Sequence, residues 1–325
     1  MTQPLVTAVL VNLNCGPLVD LIFPSIVSQT YPDLEILVID NGSVDGSCER
    51  IEREYPRVKI FRQGRNTGFS HALNVGIREA RGAYILSLNF DVTLEPKFVA
   101  ALVEALERHP QAGWAAGFLR KLSPQGVLDS IDCNGHYWLP SRYCYGYDPD
   151  KPEPGSYDIE REVFGASACA ALYRVRMLHD LALNGEIFDE DLFAYFEDID
   201  LDWRAQLRGY RCIFTPNARG AHMRGGTGLS RRPEIAALLL ANRFLVMLKN
   251  DEVKDVLADW SPIVRRTIQD VVVNYRAHPR SLAIALGRLI RLAPRMLRKR
   301  RVLRRDRVVS RDYIRSLQVK TDFLG

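Results

Sequence analysis

A chain of 325 residues with 47% hydrophobic and 26% charged residues has ordinary globular composition. That length suits one large α/β body with an appendage, or two modest units. The net charge of +5 is modest, and none of the six cysteines stands at C-x-x-C spacing, which argues against a zinc site or a disulfide framework and for free thiols in a reducing cytosol. The opening MTQPLVTAVLVNLN has neither a basic leader nor a cleavage site, and no stretch reaches the ~20 apolar residues of a bilayer span, so the sequence reads as cytoplasmic.

Residues 5–13 are β-branched and apolar and predict a buried strand, followed by helical periodicity over 17–29. LEILVID at 34–40 predicts a second strand ending in Asp40-Asn41-Gly42-Ser43, with a helix beginning at Asp45. Residues 58–62 read as a strand, 69–80 as a helix, and YILSLNFD at 84–91 as a strand ending on Asp91. A helix from Glu95 to Arg108 and a strand starting at WAAGFL follow. Strands alternating with helices at this pace imply βαβ units and a parallel sheet. Ligands of such sheets bind beyond the carboxyl ends of the strands, so 12–16, 40–45, 64–68 and 89–93 should line one crevice.

From 123 to 163 the chain is rich in Tyr, Pro, Gly and Asp and reads as an irregular excursion with short strands. FGASACAALY at 164–173 predicts a strand, about Glu197 to Arg208 a helix stopped at Gly209, RCIFTP a strand, and GAHMRGGTG a glycine-rich loop. After 231 apolar residues recur at helical spacing, and Arg and Lys crowd 288–311.

Five constellations carry possible chemistry. Asp40-Asn41-Gly42-Ser43 can bond a base or ribose, or simply form a strand-to-helix turn. Arg65-Asn66-x-Gly68-Phe69, with Asn74 and Gly76 on the following helix, suits a diphosphate at a helix N-terminus, or is a capped glycine turn. Asn89-Phe90-Asp91 at a strand end can coordinate a divalent cation bridged to phosphates, or cap the next element. Glu197-Asp198-Ile199-Asp200-Leu201-Asp202 places acids where the helix dipole favours them, or supplies a general base for a hydroxyl nucleophile. Helical spacing sets Glu197 with Asp200 on one side and Asp198 with Asp202 on another, and does not choose between them. His222 follows a strand and can be a metal ligand or a structural histidine.

Together, VLVNLN, ILVIDNGSVDGS, RNTGFSHALNVGIREARGAYILSLNFDV, FDEDLFAYFEDIDLDWRAQLRGYR and GAHMRGGTG resemble glycosyltransferase family 2 over roughly residues 5–230. The RNxGF block, the Asn-x-Asp motif and Phe-Glu-Asp-x-Asp look most like its rhamnosyltransferase-like and galactofuranosyltransferase-like branch. The resemblance implies a GT-A fold, Rossmann-like and mostly parallel with flanking helices. It implies a catalytic body over residues 1–230, with donor binding in residues 1–122 and the acceptor and catalytic groups in residues 123–230. A basic helical region over 231–325 would follow. It also implies roles: Asn12, Asn14, Asp40, Asn41, Ser43, Arg65, Asn66, Gly68, Asn74 and Asn89 on the donor, Asp91 and His222 on Mg²⁺ or Mn²⁺, Asp198 as base, Glu197 and Asp200 toward the acceptor. The family motif commonly has Asp where this chain has Asn89, a weaker ligand for a hard cation.

The expected reaction is inverting transfer from a nucleotide-diphospho-sugar, with dTDP-rhamnose first and UDP-galactofuranose or another UDP- or GDP-sugar second. The expected acceptor is a saccharide or lipid-linked saccharide of cell-surface polysaccharide synthesis. A nicotinamide enzyme would need G-x-G-x-x-G where this chain has Asn12-Leu13-Asn14-Cys15-Gly16-Pro17. A non-catalytic nucleotide-sugar-binding scaffold is the rival of another class. The basic stretch 286–311 suits an anionic membrane on the inner face of the cell membrane. It equally suits packing on the catalytic body or a homo-oligomer contact, and no nucleic-acid motif accompanies it.

Overall fold

The computed structural model describes residues 3–146, 157–224 and 233–319. Residues 147–156 of the Tyr- and Pro-rich excursion and the run Gly225-Gly226-Thr227-Gly228 lie outside the described residues.

The first half follows the βαβ expectation. Strands β1 (Val6–Asn12), β2 (Leu34–Asp40), β3 (Lys59–Arg62) and β4 (Tyr84–Leu88) alternate with helices α1 (Val19–Val27), α2 (Ser47–Glu54) and α3 (Phe69–Glu79). β1 lies between β2 and β4, β3 flanks β2, and all these pairings are parallel. Val6, Val9, Leu10, Leu37 and Val38 are fully buried, as apolar runs covered by helices on both faces must be.

The second half adds β5 (Val92–Leu94), α4 (Phe98–Arg108), β6 (Ala112–Ser123), β7 (Gly126–Cys133), β8 (Tyr137–Trp138), β9 (Cys144–Tyr145), β10 (Arg161–Val163), β11 (Ala170–Arg174), α5 (Val175–Asp180), α6 (Glu197–Leu207) and β12 (Arg211–His222). The long sheet runs β10-β12-β6-β11-β4-β1-β2-β3, with β11 antiparallel to both neighbours. Three expected strands change. The one expected over 84–91 stops at Leu88, because 89–91 form a turn into β5. The apolar run 164–173 splits, since residues 164–169 leave the ladder and spend backbone groups on the site described below. The strand expected at 211–216 continues through a register shift at Phe214/Arg219 to His222, where the glycines alone suggested a loop.

From 233 to 319 the chain is mainly helical, as its periodicity predicts: α7 (Pro233–Asn250), α8 (Val253–Ala258), α9 (Trp260–Ala277), α10 (Pro279–Asp306) and α11 (Arg311–Ser316). Leu245 and Val246 of α7 and Leu292 and Met296 of α10 share a core with Trp203 and Leu207 of α6. Much of the basic stretch faces the protein. Lys299 bonds Asp189 and Asp191, Arg295 bonds Asp191, Arg300 the Leu248 carbonyl, and Arg304 and Arg307 the Glu252 carboxylate. Among the described residues no helix is long and apolar enough to cross a membrane.

Candidate active site

The strand ends of the parallel half form one wall. Asn12 ends β1 opposite Asp40 at the end of β2. Asn12 is fully buried; its amide donates to Asp40 Oδ1 (3.3 Å) and Ser47 Oγ (2.8 Å), and its carbonyl oxygen accepts from the Cys15 amide. It therefore acts from behind Asp40, not on the crevice surface. Asp40 also accepts from the Ser43 amide at 3.1 Å. Asn14, with φ of 56°, donates its backbone N–H to Ser43 Oγ and accepts from the Val44 amide, lacing the two loops together.

The buried Asn41 joins the second loop to the third. Its amide donates to Asn66 Oδ1 (3.1 Å), and its carbonyl oxygen accepts from the Thr67 amide and hydroxyl (2.9 Å each). Gly68 has φ of +93°, and a Cβ there would lie 2.6 Å from the Phe193 ring. Only glycine admits that approach, and the Ser70 amide adds a bond to the Phe193 carbonyl. Arg65 and Asn66 are exposed at the rim. Asn74 departs from expectation. It is buried, and its side chain exchanges both amide bonds with the Phe188 backbone (2.8 and 2.9 Å), so it pins a loop to α3 and does not line the crevice.

The Asn89-Asp91 turn meets the end of β12. Because His222 pairs with Val92, and the Met223 amide donates to the Asp91 carbonyl, His222 Nε2 stands 3.3 Å from Asp91 Oδ1. The other ring nitrogen bonds Asp132 Oδ2 at 2.8 Å. The β6–β7 register slips between Leu119/Cys133 and Arg120/Ile131, leaving Asp132 as the extra residue of a bulge. No sequence signal announced Asp132. Burial alone would raise its carboxyl, but the bond from His222 and the Arg224 charge hold it below the ordinary value. Burial would likewise lower His222, yet its bonds to Asp132 and Asp91 raise the imidazolium to about 9.

Asp198 opens α6. Its Oδ2 accepts from the Ala168 amide (3.2 Å) and Ser167 hydroxyl (3.4 Å). The same short segment reaches β4: the Ala168 carbonyl accepts from Ser87 Oγ at 2.6 Å, and the Cys169 carbonyl accepts from the Asn89 amide at 2.9 Å. Residues 167–169 thus bridge the expected base to the expected metal motif. Behind Asp198 lies His136, its Nε2 3.8 Å away and its Nδ1 2.6 Å from Asp202 Oδ2. Gly165 makes room for that carboxylate, since a Cβ there would fall 1.9 Å from Asp202 Oδ2. Burial raises Asp202 to about 6 despite His136, and the two carboxylates outweigh burial to raise His136. His136 lies in the excursion that the sequence left unreadable.

The remaining acids separate. Glu197 is buried, and its Oε2 has no partner among the described residues. Burial, then the Asp198 charge, pushes its carboxyl well up and favours the neutral form. Asp200 turns away from the crevice. It is fully buried against Arg204 (2.9 Å), Lys249 (2.7 Å) and Asn250 (2.8 Å), so it anchors α6 to α7 and is not placed to meet an acceptor.

The segment before Glu197 is strained. Phe193, Tyr195 and Phe196 all have φ between 67° and 69°, which bulky residues rarely adopt. Phe193 is the centre of a tight turn in which the Ala194 amide bonds the Leu192 carbonyl at 2.8 Å. Asn242 on α7 holds it, its amide within 2.9 Å of the Leu192, Ala194 and Tyr195 carbonyls.

No cluster of three or more His, Cys, Asp or Glu side chains able to hold a metal occurs among the described residues. Asp91 and His222 nevertheless converge, and Asp132 on the far ring nitrogen orients the imidazole as carboxylates behind metal-bound histidines do. A pair of this kind fits a cation whose other ligands come from a bound diphosphate and water.

The model of glycosyl transferase family 2 matches residues 7–181. The N-acetylglucosaminyl-diphospho-decaprenol L-rhamnosyltransferase of Mycobacterium tuberculosis (strain CDC 1551 / Oshkosh) is 26% identical over 254 residues, 70% of this chain and 80% of that protein. Chondroitin synthase of Escherichia coli is 30% identical over 138 residues, 42% of this chain and 20% of that protein. Among solved structures, GalNAc-T7 with UDP, GalNAc and Mn²⁺ superposes with a TM-score of 0.60 at 19% identity, over 77% of this chain and 49% of that one. The mannosyltransferase PcManGT of Pyrobaculum calidifontis, with GDP-Man and Mn²⁺, gives 0.53 at 18% identity, over 98% and 84%. The fold is GT-A.

Proposed function

The chain belongs to glycosyltransferase family 2, and on that premise we propose that it moves a sugar with inversion from a nucleotide-diphospho-sugar to a saccharide hydroxyl. The observation that carries the mechanism is the 167–169 bridge, which ties Asp198 to the Asn89-Asp91 turn. The acceptor oxygen attacks the anomeric carbon, its proton passes to Asp198, and the bond to the diphosphate breaks with the electron pair leaving on the nucleotide. Asp40, Ser43 and Asn14 form the base and ribose side of the crevice, with Asn12 holding Asp40. Arg65, Asn66 and Gly68 border the diphosphate side, where Gly68 leads into the N-terminus of α3. Asp91 and His222 would hold the divalent cation, which when bound neutralises charge on the departing diphosphate.

The donor we infer is dTDP-rhamnose and the acceptor a lipid-linked saccharide; similarity to the mycobacterial L-rhamnosyltransferase supports the rhamnosyl group and the lipid-linked acceptor. UDP-galactofuranose is the next donor to test. A non-catalytic scaffold is the weaker reading, because it gives no role to Asp198 or to the His136-Asp202 pair behind it.

A thermal-shift screen of dTDP-, UDP- and GDP-sugars with Mn²⁺ tests donor choice. A ligand at a hundred times its dissociation constant adds about 2.7 kcal/mol, and dTDP-rhamnose should give the largest rise. Asp198→Asn should keep that rise and lose roughly 10²–10⁴-fold in transfer. Near-normal turnover in the variant would remove Asp198 from the base role.

A further inference from the structure

Helices α8 and α9 turn an apolar face to solvent. Val253 and Leu257 on α8, and Trp260, Val264, Ile268 and Val272 on α9, are between 41% and 66% exposed. The four on α9 recur at i, i+4 and so form one stripe along the helix. Ile263, on the opposite face, is buried.

Charge is sorted the same way. Lys254, Arg265, Arg276 and, at the start of α10, Arg280 are exposed. The acids of the segment point inward. Asp255 is held by Arg311 and Arg315, Asp259 by Arg142 and Arg315, and Asp270 by Arg266. Among the described residues no acid is exposed on α8 or α9.

We propose that this face docks on an anionic lipid bilayer, with the apolar stripe in the headgroup boundary and the four cations on lipid phosphates. An exposed tryptophan within an aliphatic stripe flanked by Arg and Lys is the composition that partitions into such an interface. A second copy of the chain fits poorly. A twofold contact sets a patch against itself, and this patch would then oppose cations to cations with no acid to neutralise them. The docking element we assign is α8–α9, which carries the exposed tryptophan and no exposed acid; the outer face of α10, with Arg298, Arg301 and Arg305, is the competing surface that the test below separates from it. This reading does not depend on the donor or acceptor assigned above.

The test is co-sedimentation of the full chain with vesicles of phosphatidylcholine and phosphatidylglycerol, against phosphatidylcholine alone, with tryptophan emission recorded in parallel. Trp260 is 64% exposed, whereas Trp114, Trp138 and Trp203 are buried, so a blue shift on binding reports the ridge. Anionic vesicles should bind the chain and shift its emission. Val264→Asn with Ile268→Asn, and separately Arg265→Gln with Arg276→Gln, should each lower the partition coefficient roughly tenfold without moving the unfolding midpoint. No vesicle binding overturns the proposal. So does loss of binding in Arg298→Gln/Arg301→Gln/Arg305→Gln but not in the ridge variants. So too does a dimer in ultracentrifugation that the ridge substitutions dissolve.

Discussion

Gly68 and His136 show how single residues set this site. Gly68 has a left-handed backbone and a ring edge where a Cβ would stand. Gly68→Ala must move Phe193 and strain the loop, at a cost of about 1–3 kcal/mol. A lowered unfolding midpoint and a raised donor KM should appear together, because the same loop borders the donor. His136 acts through Asp198 as a positioning residue. Its pKa is raised, against burial, by the Asp202 bond and the Asp198 and Asp202 charges, so the imidazole keeps its proton further toward neutrality and stands as a cation 3.8 Å from Asp198. His136→Gln removes that cation. The acid limb of the kcat/KM profile should then move to higher pH and kcat should fall, with donor KM little changed. An unmoved limb would leave His136 a packing residue. Asp198 and Asp91 stood out in the sequence because acids at a helix start and at a strand end are local patterns. His136, Asp132 and Asn242 did not, because each enters through a contact set by a bulge, an excursion or a distant helix.

At the scale of elements, the turn at Phe193 and the left-handed Tyr195 and Phe196 stay in place because α7 holds them. One Asn242 amide reaches three carbonyls of the turn, of which the Leu192 carbonyl also accepts from the Ala194 amide while those of Ala194 and Tyr195 depend on Asn242. Asn242→Leu keeps the volume and removes the donor. The stranded carbonyls should cost about 1–3 kcal/mol, and kcat should fall more than donor affinity, since the loop leads directly into Glu197 and Asp198. Equal kcat in the variant would detach the clamp from catalysis. The alternating β and α elements were readable from hydrophobic period alone. The split of 164–173 was not, because an apolar run says that a segment is buried and not whether its backbone stays in a ladder.

Across the whole molecule, the helices after 232 are tied by buried charge to the loop at 189–191 and to α6. Lys249 from α7 and Lys299 from α10 both bond Asp189, and Lys249 also reaches Asp200. Burial would raise Asp189, but the two ammonium groups hold it well below the usual carboxylate range. Burial would lower Lys299, but Asp189 and Asp191 raise it. Asp189 therefore stabilises the fold fully above its unfolded pKa of about 3.9, and that share is lost as pH falls through its lowered folded value. Lys299 stabilises below its unfolded pKa of about 10.4, and that share is lost as pH rises through its raised folded value. The share contributed by this cluster should be level between these limits, and Asp189→Asn should blunt the acid limb in denaturant titrations at stepped pH. Lys249→Met leaves Asp200 and Asp189 short of a buried partner and should cost about 3–5 kcal/mol. The helical content of this region was legible from its periodicity. Its attachment was not, because Arg and Lys at helical spacing look the same whether they meet water, lipid or a buried Asp.

The Asn242 clamp also carries a consequence for how the protein is made. A chain leaves the ribosome from its N-terminus and folds in that order. Asp40, Asp91, Asp198 and His222 all emerge before Asn242 does. Until α7 has cleared the exit tunnel, the loop ahead of Asp198 lacks the amide that holds it in the finished fold. Transfer activity should therefore appear only in nascent chains long enough to have released α7, which assays of stalled chains of stepped length would show.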